Sequence, residues 1–258
     1  MFTTLELNVR ASVAFLTLNR PNAMNALNLE MGRELLAAAL QCENDPTVRA
    51  VIISGAGKAF CAGGDLREMH SKGPNPEPYL HELTTHLHTA ISVFTRMRAP
   101  VIAAINGPTA GAGVGLAAMA DLAMAAQSAK FTLAYTAAAL TPDGSTTFYL
   151  PRLVGWRRAA ELMLLNRTLT ADEALNWGMI NYVVPDEDLI TKATELAARL
   201  ASGPQQAFGT VKRLLAYSAG ALETQMVEEG RAIVNQSTNA EAREGIAAFL
   251  KKRKPVFH

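Results

Sequence analysis

Two runs of small residues could turn backbone N–H groups toward an anionic oxygen. The first is Ala59-Phe60-Cys61-Ala62-Gly63-Gly64-Asp65-Leu66, and the second goes from Ile105-Asn106-Gly107 through Gly111-Ala112-Gly113. Each follows a short apolar stretch that reads as a buried strand. Small side chains let a ligand approach the main chain, and the first N–H groups of a helix have no partner of their own. One loop of this kind is more often a plain tight turn. Two such junctions could each give a donor to one oxygen, which is what an oxyanion hole for an enolate requires. A third segment, Leu140-Thr141-Pro142-Asp143-Gly144-Ser145, carries a carboxylate. Pro142 fixes the approach and Gly144-Ser145 looks like a helix opening, so Asp143 taken alone is an N-cap aspartate.

Other familiar signals fail on spacing. Gly111-Ala112-Gly113-Val114-Gly115 matches neither the dinucleotide pattern nor the phosphate loop. His81 and His86 are five residues apart rather than four, which turns the second imidazole away from the first, so no metal is expected. No Gly-x-Ser-x-Gly elbow is present.

The elements around these runs follow from periodicity. Residues 3–9 and 12–18 alternate apolar and polar side chains around Arg10-Ala11 and predict a hairpin. Asn28 caps a helix carrying Leu29, Leu35, Leu36 and Leu40 up to Asp45-Pro46. Residues 50–54 are a buried strand. Residues 71–78 hold three prolines and a glycine and are expected to form a mobile loop. A helix over 79–98, a second buried strand over 101–105, a small-residue helix over 110–120 and a strand over 121–126 come next. That alternation argues for a sheet flanked by helices. Beyond Pro142 strand signals nearly vanish, and helices are expected over 187–200, 204–217, 221–235 and 240–253. A boundary near residue 200 divides an α/β core, 1–200, from a helical region, 201–258.

Composition narrows the classes. The 258 residues are 49% hydrophobic and 18% charged, enough for a large core with apolar surface left for partner subunits. Lys and Arg number 24 against 23 Asp and Glu, so a nucleic-acid partner is not expected. Cys42 and Cys61 form neither a disulfide framework nor a zinc site. No basic segment followed by an apolar run opens the chain, and no apolar stretch reaches the length of a membrane span. A soluble cytoplasmic protein with no membrane partner is the expectation.

Taken in order, the motifs carry a more specific resemblance. They are Leu18-Asn19-Arg20-Pro21 with Asn25-Ala26-Leu27, the 59–66 run, Asn106-Gly107 with Gly111-Ala112-Gly113, Ala129-Lys130-Phe131 and Leu140-Thr141-Pro142-Asp143-Gly144. Leu150-Pro151-Arg152, Trp177-Gly178-Met179-Ile180 and the terminal Phe249 with Lys252-Arg253-Lys254 complete the series. Together they resemble the enoyl-CoA hydratase/isomerase (crotonase) superfamily over nearly the whole chain, and Pro142-Asp143 is similar to its isomerase branch.

The resemblance implies an α/β fold, a spiral of β-β-α repeats with a C-terminal helical trimerisation region, assembled as a homotrimer or a dimer of trimers. It implies an acyl-CoA thioester as substrate, coenzyme A being part of that substrate rather than a separate cofactor. The backbone amides of Ala62 and Ala112 become the oxyanion donors, Ala112 standing where many members carry glycine. Coenzyme A and the acyl group are expected around Asn22, Ala23 and Met24, along Cys61, Gly63, Gly64, Asp65 and Leu66, and at Gly111. Phe249 and Lys252 match positions that reach the coenzyme A of a neighbouring subunit. Met69, Tyr135, Leu140 and Phe148 are expected walls of the acyl pocket.

Hydratases of this family divide water activation and proton delivery between two glutamates. The motifs put Gly115 and Tyr135 at those positions, and neither can be a carboxylate base. The resemblance therefore points to Asp143 as a base that shifts a double bond, taking a proton from the α-carbon and returning one to the γ-carbon. Three alternatives stay open. They are hydration, a non-catalytic acyl-CoA-binding homologue, and nucleophilic attack by Asp143 on an aryl-CoA. The last resembles the 4-chlorobenzoyl-CoA dehalogenase branch, with Tyr135 and one of His81, His86 or His88 assisting.

Overall fold

In the computed structural model, which describes residues 2–218, 222–238 and 240–256, the amino-terminal alternation becomes a hairpin. Strands β1 (Leu5–Arg10) and β2 (Val13–Leu18) pair antiparallel. Ala11 and Ser12 join them at φ 48° and 62°, the left-handed pair whose twist matches that of the strands. Asn28 then accepts the Met31 N–H at 3.0 Å and opens α1 (Leu29–Asn44).

From there the chain repeats one unit: a core strand, a short extended rung, then helix. In the first unit β3 (Ala50–Gly55) leads to a rung at Cys61, then to α2 (Leu66–Ser71) and α3 (Glu77–Arg96). In the second, β4 (Val101–Ile105) leads to β5 (Thr109–Ala110) and α4 (Ala112–Ala118). In the third, β6 (Leu122–Ala126) leads to β7 (Lys130–Thr132), a 3-10 turn at Thr136–Ala138, α5 (Thr146–Val154) and α6 (Trp156–Leu165). Then follow β8 (Leu169–Thr170), α7 (Ala171–Asn176), β9 (Tyr182–Val184) and α8 (Leu189–Ala201).

The core strands form a six-stranded sheet in the order β1-β2-β3-β4-β6-β9, parallel from β2 onward. The rungs form a second sheet, β5-β7-β8, to which Cys61 adds a parallel bridge at Thr109. Stacked units with one strand in each sheet make the spiral of β-β-α repeats. Side chains of the central strands alternate between two buried faces. Val51, Ile53, Ala103 and Ile105 enter the main core with α1, α3 and α4, while Ile52, Ile102, Ala104 and Met124 pack on α8. Burial on both faces is why these strands read as unbroken apolar runs.

Three helices follow: α9 (Gln205–Ser218), α10 (Leu222–Ser237) and α11 (Ala240–Leu250). They fold back over the spiral. Buried Lys212 on α9 donates to the carbonyls of Phe94 and Ala99 at 3.1 and 2.9 Å and meets Asp121 Oδ2 at 2.7 Å. Helix α10 lies on α3 and α5, and α11 on α2 and the Thr136–Ala138 turn. No helix among the described residues is long and apolar enough to cross a membrane.

The expected elements shift in a few places. The proline-rich stretch shortens to 72–76, because Pro76 and Pro78 start α3 rather than prevent it. A proline in a first turn gives up an N–H that has no helical partner anyway. Strand β9 has three residues and was not signalled, since it borrows its partner, β6, from far along the chain. The expected helix over 240–253 ends at Leu250, and the expected start at Ala221 lies outside the described residues.

Candidate active site

The two small-residue runs lie side by side. Ala110 donates its N–H to the Cys61 carbonyl at 2.8 Å. Gly63, at φ 85°, comes so near that a Cβ on it would stand 2.9 Å from the Ala110 oxygen. Gly111 closes that run with φ 50°, and Ala112 opens α4. Its N–H is a first-turn donor that no described main-chain bond uses. The Ala62 N–H is engaged. It donates to the Met24 carbonyl at 3.0 Å, so it can serve an external oxygen only by exchanging or sharing that bond.

Met24 belongs to the other segment expected to hold coenzyme A. Pro21–Ala23 is a 3-10 turn containing Asn22 and Ala23, and Met24 ends it at φ 50°, half exposed. Arg20 ties the segment to the opposite run through a 2.9 Å ion pair with Asp65, the N-cap of α2. Buried Asn25 bridges the Arg20 N–H and the carbonyls of Ala56 and Ala59, and Leu27 donates to the Gly63 carbonyl at 2.7 Å. Residues 22–24 and 61–66 therefore form one wall. Cys61 and Met69 are buried behind it, and Leu66 begins α2. Burial pushes the Cys61 thiol up to about 12, which leaves it inert as a nucleophile.

Asp143 sits on the turn before α5, almost fully buried. The Tyr135 hydroxyl donates to its Oδ1 at 2.7 Å and to its main-chain oxygen at 3.1 Å. Burial and the charge of Asp143 push that phenol well above its ordinary value, so Tyr135 stays a donor. Oδ2 has no hydrogen-bond donor among the described residues, and His88 Nε2 lies 3.8 Å from it. That nitrogen accepts the Gly144 N–H at 3.2 Å, which leaves the proton of a neutral imidazole on Nδ1. Of the three histidines raised by the sequence, only His88 reaches Asp143. His81 is exposed, and His86 instead lies 3.8 Å from Glu82.

The same turn closes the space beside Gly115, the position expected for a hydratase's first glutamate. A Cβ at Gly115 would fall 2.0 Å from the Gly144 carbonyl oxygen, and one at Gly144 would fall 3.2 Å from the Ala112 Cβ. Tyr135, at the second position, is committed to Asp143. Leu140 is buried and donates its N–H to the Tyr135 carbonyl at 3.0 Å. Phe249 and Lys252 are not brought into this cluster. They lie exposed at and beyond the end of α11.

Sequence reasoning missed Glu229. Its buried carboxylate on α10 accepts the N–H groups of Ser145 and Thr147 at 2.7 and 3.0 Å. The signal was available: Glu229 interrupts the buried helical stripe Leu222, Met226, Ile233. Among the described residues no group of three His, Cys, Asp or Glu side chains could hold a metal ion.

A family model for enoyl-CoA hydratase/isomerase matches residues 8–258. The chain belongs to that family. The crotonase chain is 39% identical to 1,2-epoxyphenylacetyl-CoA isomerase of Escherichia coli (strain K12), covering 97% of this chain and 96% of that one. It is 37% identical to 4-chlorobenzoyl coenzyme A dehalogenase-2 of an Arthrobacter species, over 93% and 88% of the two chains. The crystal structure of an enoyl-CoA hydratase from Mycobacterium avium subsp. paratuberculosis K-10 superposes with a TM-score of 0.91 at 28% identity, covering all of both chains. One family fold thus carries an isomerase, a dehalogenase and a hydratase, and the side chains around Asp143 must decide among them.

Proposed function

We propose that this protein is an acyl-CoA isomerase that shifts a double bond through an enolate, with Asp143 as the shuttling base. The observation that carries this reading is the unclaimed Oδ2 of Asp143 in a buried site where Gly115 leaves no room for a glutamate. The thioester oxygen lies between the N–H groups of Ala62, released from Met24, and Ala112. Asp143 Oδ2 takes the α-proton, and the C–H electron pair enters the enolate. The C3–C4 double-bond pair then takes the proton at C4, and the enolate collapses to the 2,3-double bond. Each oxyanion donor of this kind contributes roughly 3–4 kcal/mol to the barrier reduction.

Coenzyme A enters as part of the substrate, along Asn22 to Met24 and Cys61 to Leu66, so no separate cofactor is required. The similarity to an epoxyphenylacetyl-CoA isomerase supports isomerisation and makes an aryl-acetyl ester a substrate class to test beside aliphatic enoyl esters. The family also suggests a trimer or a pair of trimers, with Phe249 and Lys252 turned toward a neighbour's coenzyme A. The deciding experiment incubates the protein with 3-enoyl-, 2-enoyl- and aryl-acetyl-CoA in deuterated water and follows exchange and products by mass spectrometry. Exchange and turnover that vanish in D143N while the ester still binds support the reading. Unchanged exchange and turnover in D143N overturn it.

His88 supports a second reading. An imidazole 3.8 Å from Oδ2, with Tyr135 holding Oδ1, also suits an aspartate that attacks an aryl ring, and the similarity to a 4-chlorobenzoyl coenzyme A dehalogenase makes such a ring a substrate to test. A covalent adduct on the Asp143 peptide after incubation with 4-chlorobenzoyl-CoA would establish that route. Proton exchange without an adduct favours the isomerase.

A further inference from the structure

Glu229 has no role in the chemistry above, yet it is bound to the turn that delivers it. A buried carboxylate persists only where donors surround it. Here Oε2 accepts the Ser145 N–H at 2.7 Å, and Oε1 accepts the Thr147 N–H at 3.0 Å together with the Thr147 hydroxyl. Gln225, one helical turn earlier, donates to that hydroxyl at 2.6 Å. The next residue, Gly230, faces the imidazole: a Cβ there would lie 3.6 Å from His88 Cε1. One stretch of α10 therefore binds the turn carrying Asp143 and leaves space for no more than a methyl beside the ring next to it.

The turn needs holding. Gly144 and Ser145 are successive left-handed residues, at φ 61° and 67°, and the second has a Cβ that disfavours this conformation by roughly 1–2 kcal/mol. Ser145 has no side-chain cap bond to its own helix; Thr146 donates to the Asp143 carbonyl within the turn, while the N–H groups of Ser145 and Thr147 are satisfied from outside. We propose that Glu229 is a positioning residue that pins the Ser145 and Thr147 N–H groups and thereby fixes the aim of Asp143 at the acyl carbon, an inference resting on the proton-transfer reading given above. Without that pin the left-handed pair relaxes, and Asp143 swings from Tyr135.

The pin is also sensitive to pH. The groups facing Glu229 are Asp143, Ser145 and Thr147 at the mouth of α5, the Tyr135 phenol bonded to Asp143, His88 on α3 and Gln225 on its own helix. Burial raises the Glu229 carboxyl to about 6, the Asp143 charge adding to the rise while Thr147, Ser145 and His88 oppose it. Protonation turns one acceptor oxygen into a donor, so one of the two N–H groups loses its partner.

The test compares the full-length wild type with E229Q and E229D. E229Q should stay folded, bind the acyl-CoA ester within about twofold of wild type and lower kcat between about 10- and 100-fold at constant KM, the scale of a misplacement near 1 Å. Its pH profile should lack the acid inflection near 6 that Glu229 gives the wild type. E229D, charged but one methylene shorter, should recover part of kcat. A wild-type kcat and pH profile in E229Q overturns the proposal, as does a loss that only tracks the unfolded fraction. Crystal structures of the variants give a readout independent of turnover. Asp143 Oδ1 should leave the Tyr135 hydroxyl in E229Q, and an unmoved 2.7 Å contact overturns the proposal. Should wild type exchange no protons with any ester while Asp143 still moves in E229Q, the isomerase reading fails and the positioning role stands.

Discussion

Asp65 and Asp143 occupy similar places and do opposite work. Each follows a run of small or turn-forming residues and precedes a helix. Asp65 is an N-cap: its Oδ1 accepts the N–H groups of Arg67 and Glu68 at 3.1 Å, and its Oδ2 pairs with Arg20. Asp143 caps nothing with its carboxylate. Glu229, reaching in from α10, takes the Ser145 and Thr147 N–H groups at the start of α5 instead. An aspartate becomes available for chemistry when another group takes over its structural duty.

Substitutions can break that contrast, and D143N should have the largest effect. A general base is worth roughly 10²–10⁴-fold in rate, so turnover should fall by that factor while Tm barely moves; a large Tm loss would make Asp143 structural after all. Y135F comes next. It removes the charge-assisted hydrogen bond to Oδ1, worth about 1.5–3 kcal/mol, so kcat should drop roughly 10- to 100-fold with ester affinity kept.

E229Q sharpens the comparison through pH. Because burial raises the Glu229 carboxyl from 4.5 to about 6, the stability it contributes is present below 4.5 and lost as pH rises through 6. Denaturant titrations should show wild type losing up to about 2 kcal/mol relative to E229Q across that window. An invariant difference would mean that Glu229 does not titrate there. D65A should have the smallest effect on kcat, about 1 kcal/mol of stability for the N-cap, read as a shift in urea midpoint, with any loss from the broken Arg20 pair appearing in KM.

Much of the architecture was legible because it depends on local periodicity. The buried strands at 50–54 and 101–105 and the cap at Asn28 follow from spacing alone, and the two small-residue runs meet as expected. What sequence could not supply was long-range pairing. Strand β9 exists because β6 is there to receive it, and His88 matters because Asp143 arrives from 55 positions further on. Glu229 showed itself only as a carboxylate in an apolar stripe, with nothing local to say which N–H groups it would meet. The Ala62 N–H was expected as an available donor. Its bond to Met24 could not be read from the motif, since a motif names donors and not the acceptors already on them.

That bond between Ala62 and the Met24 carbonyl sets a threshold for any occupant of the site. A neutral thioester oxygen offers Ala62 little more than the resident peptide carbonyl does, so swapping one for the other is close to a draw. An enolate oxygen is ionised, and hydrogen bonds to an ionised acceptor are roughly twice as strong. If the thioester oxygen is held at Ala62 as proposed, Met24 is an internal reference ligand that a ground-state carbonyl merely matches and that a charged oxygen displaces. In the proposed reaction, discrimination between substrate and transition state would begin with a competitor the protein carries within itself.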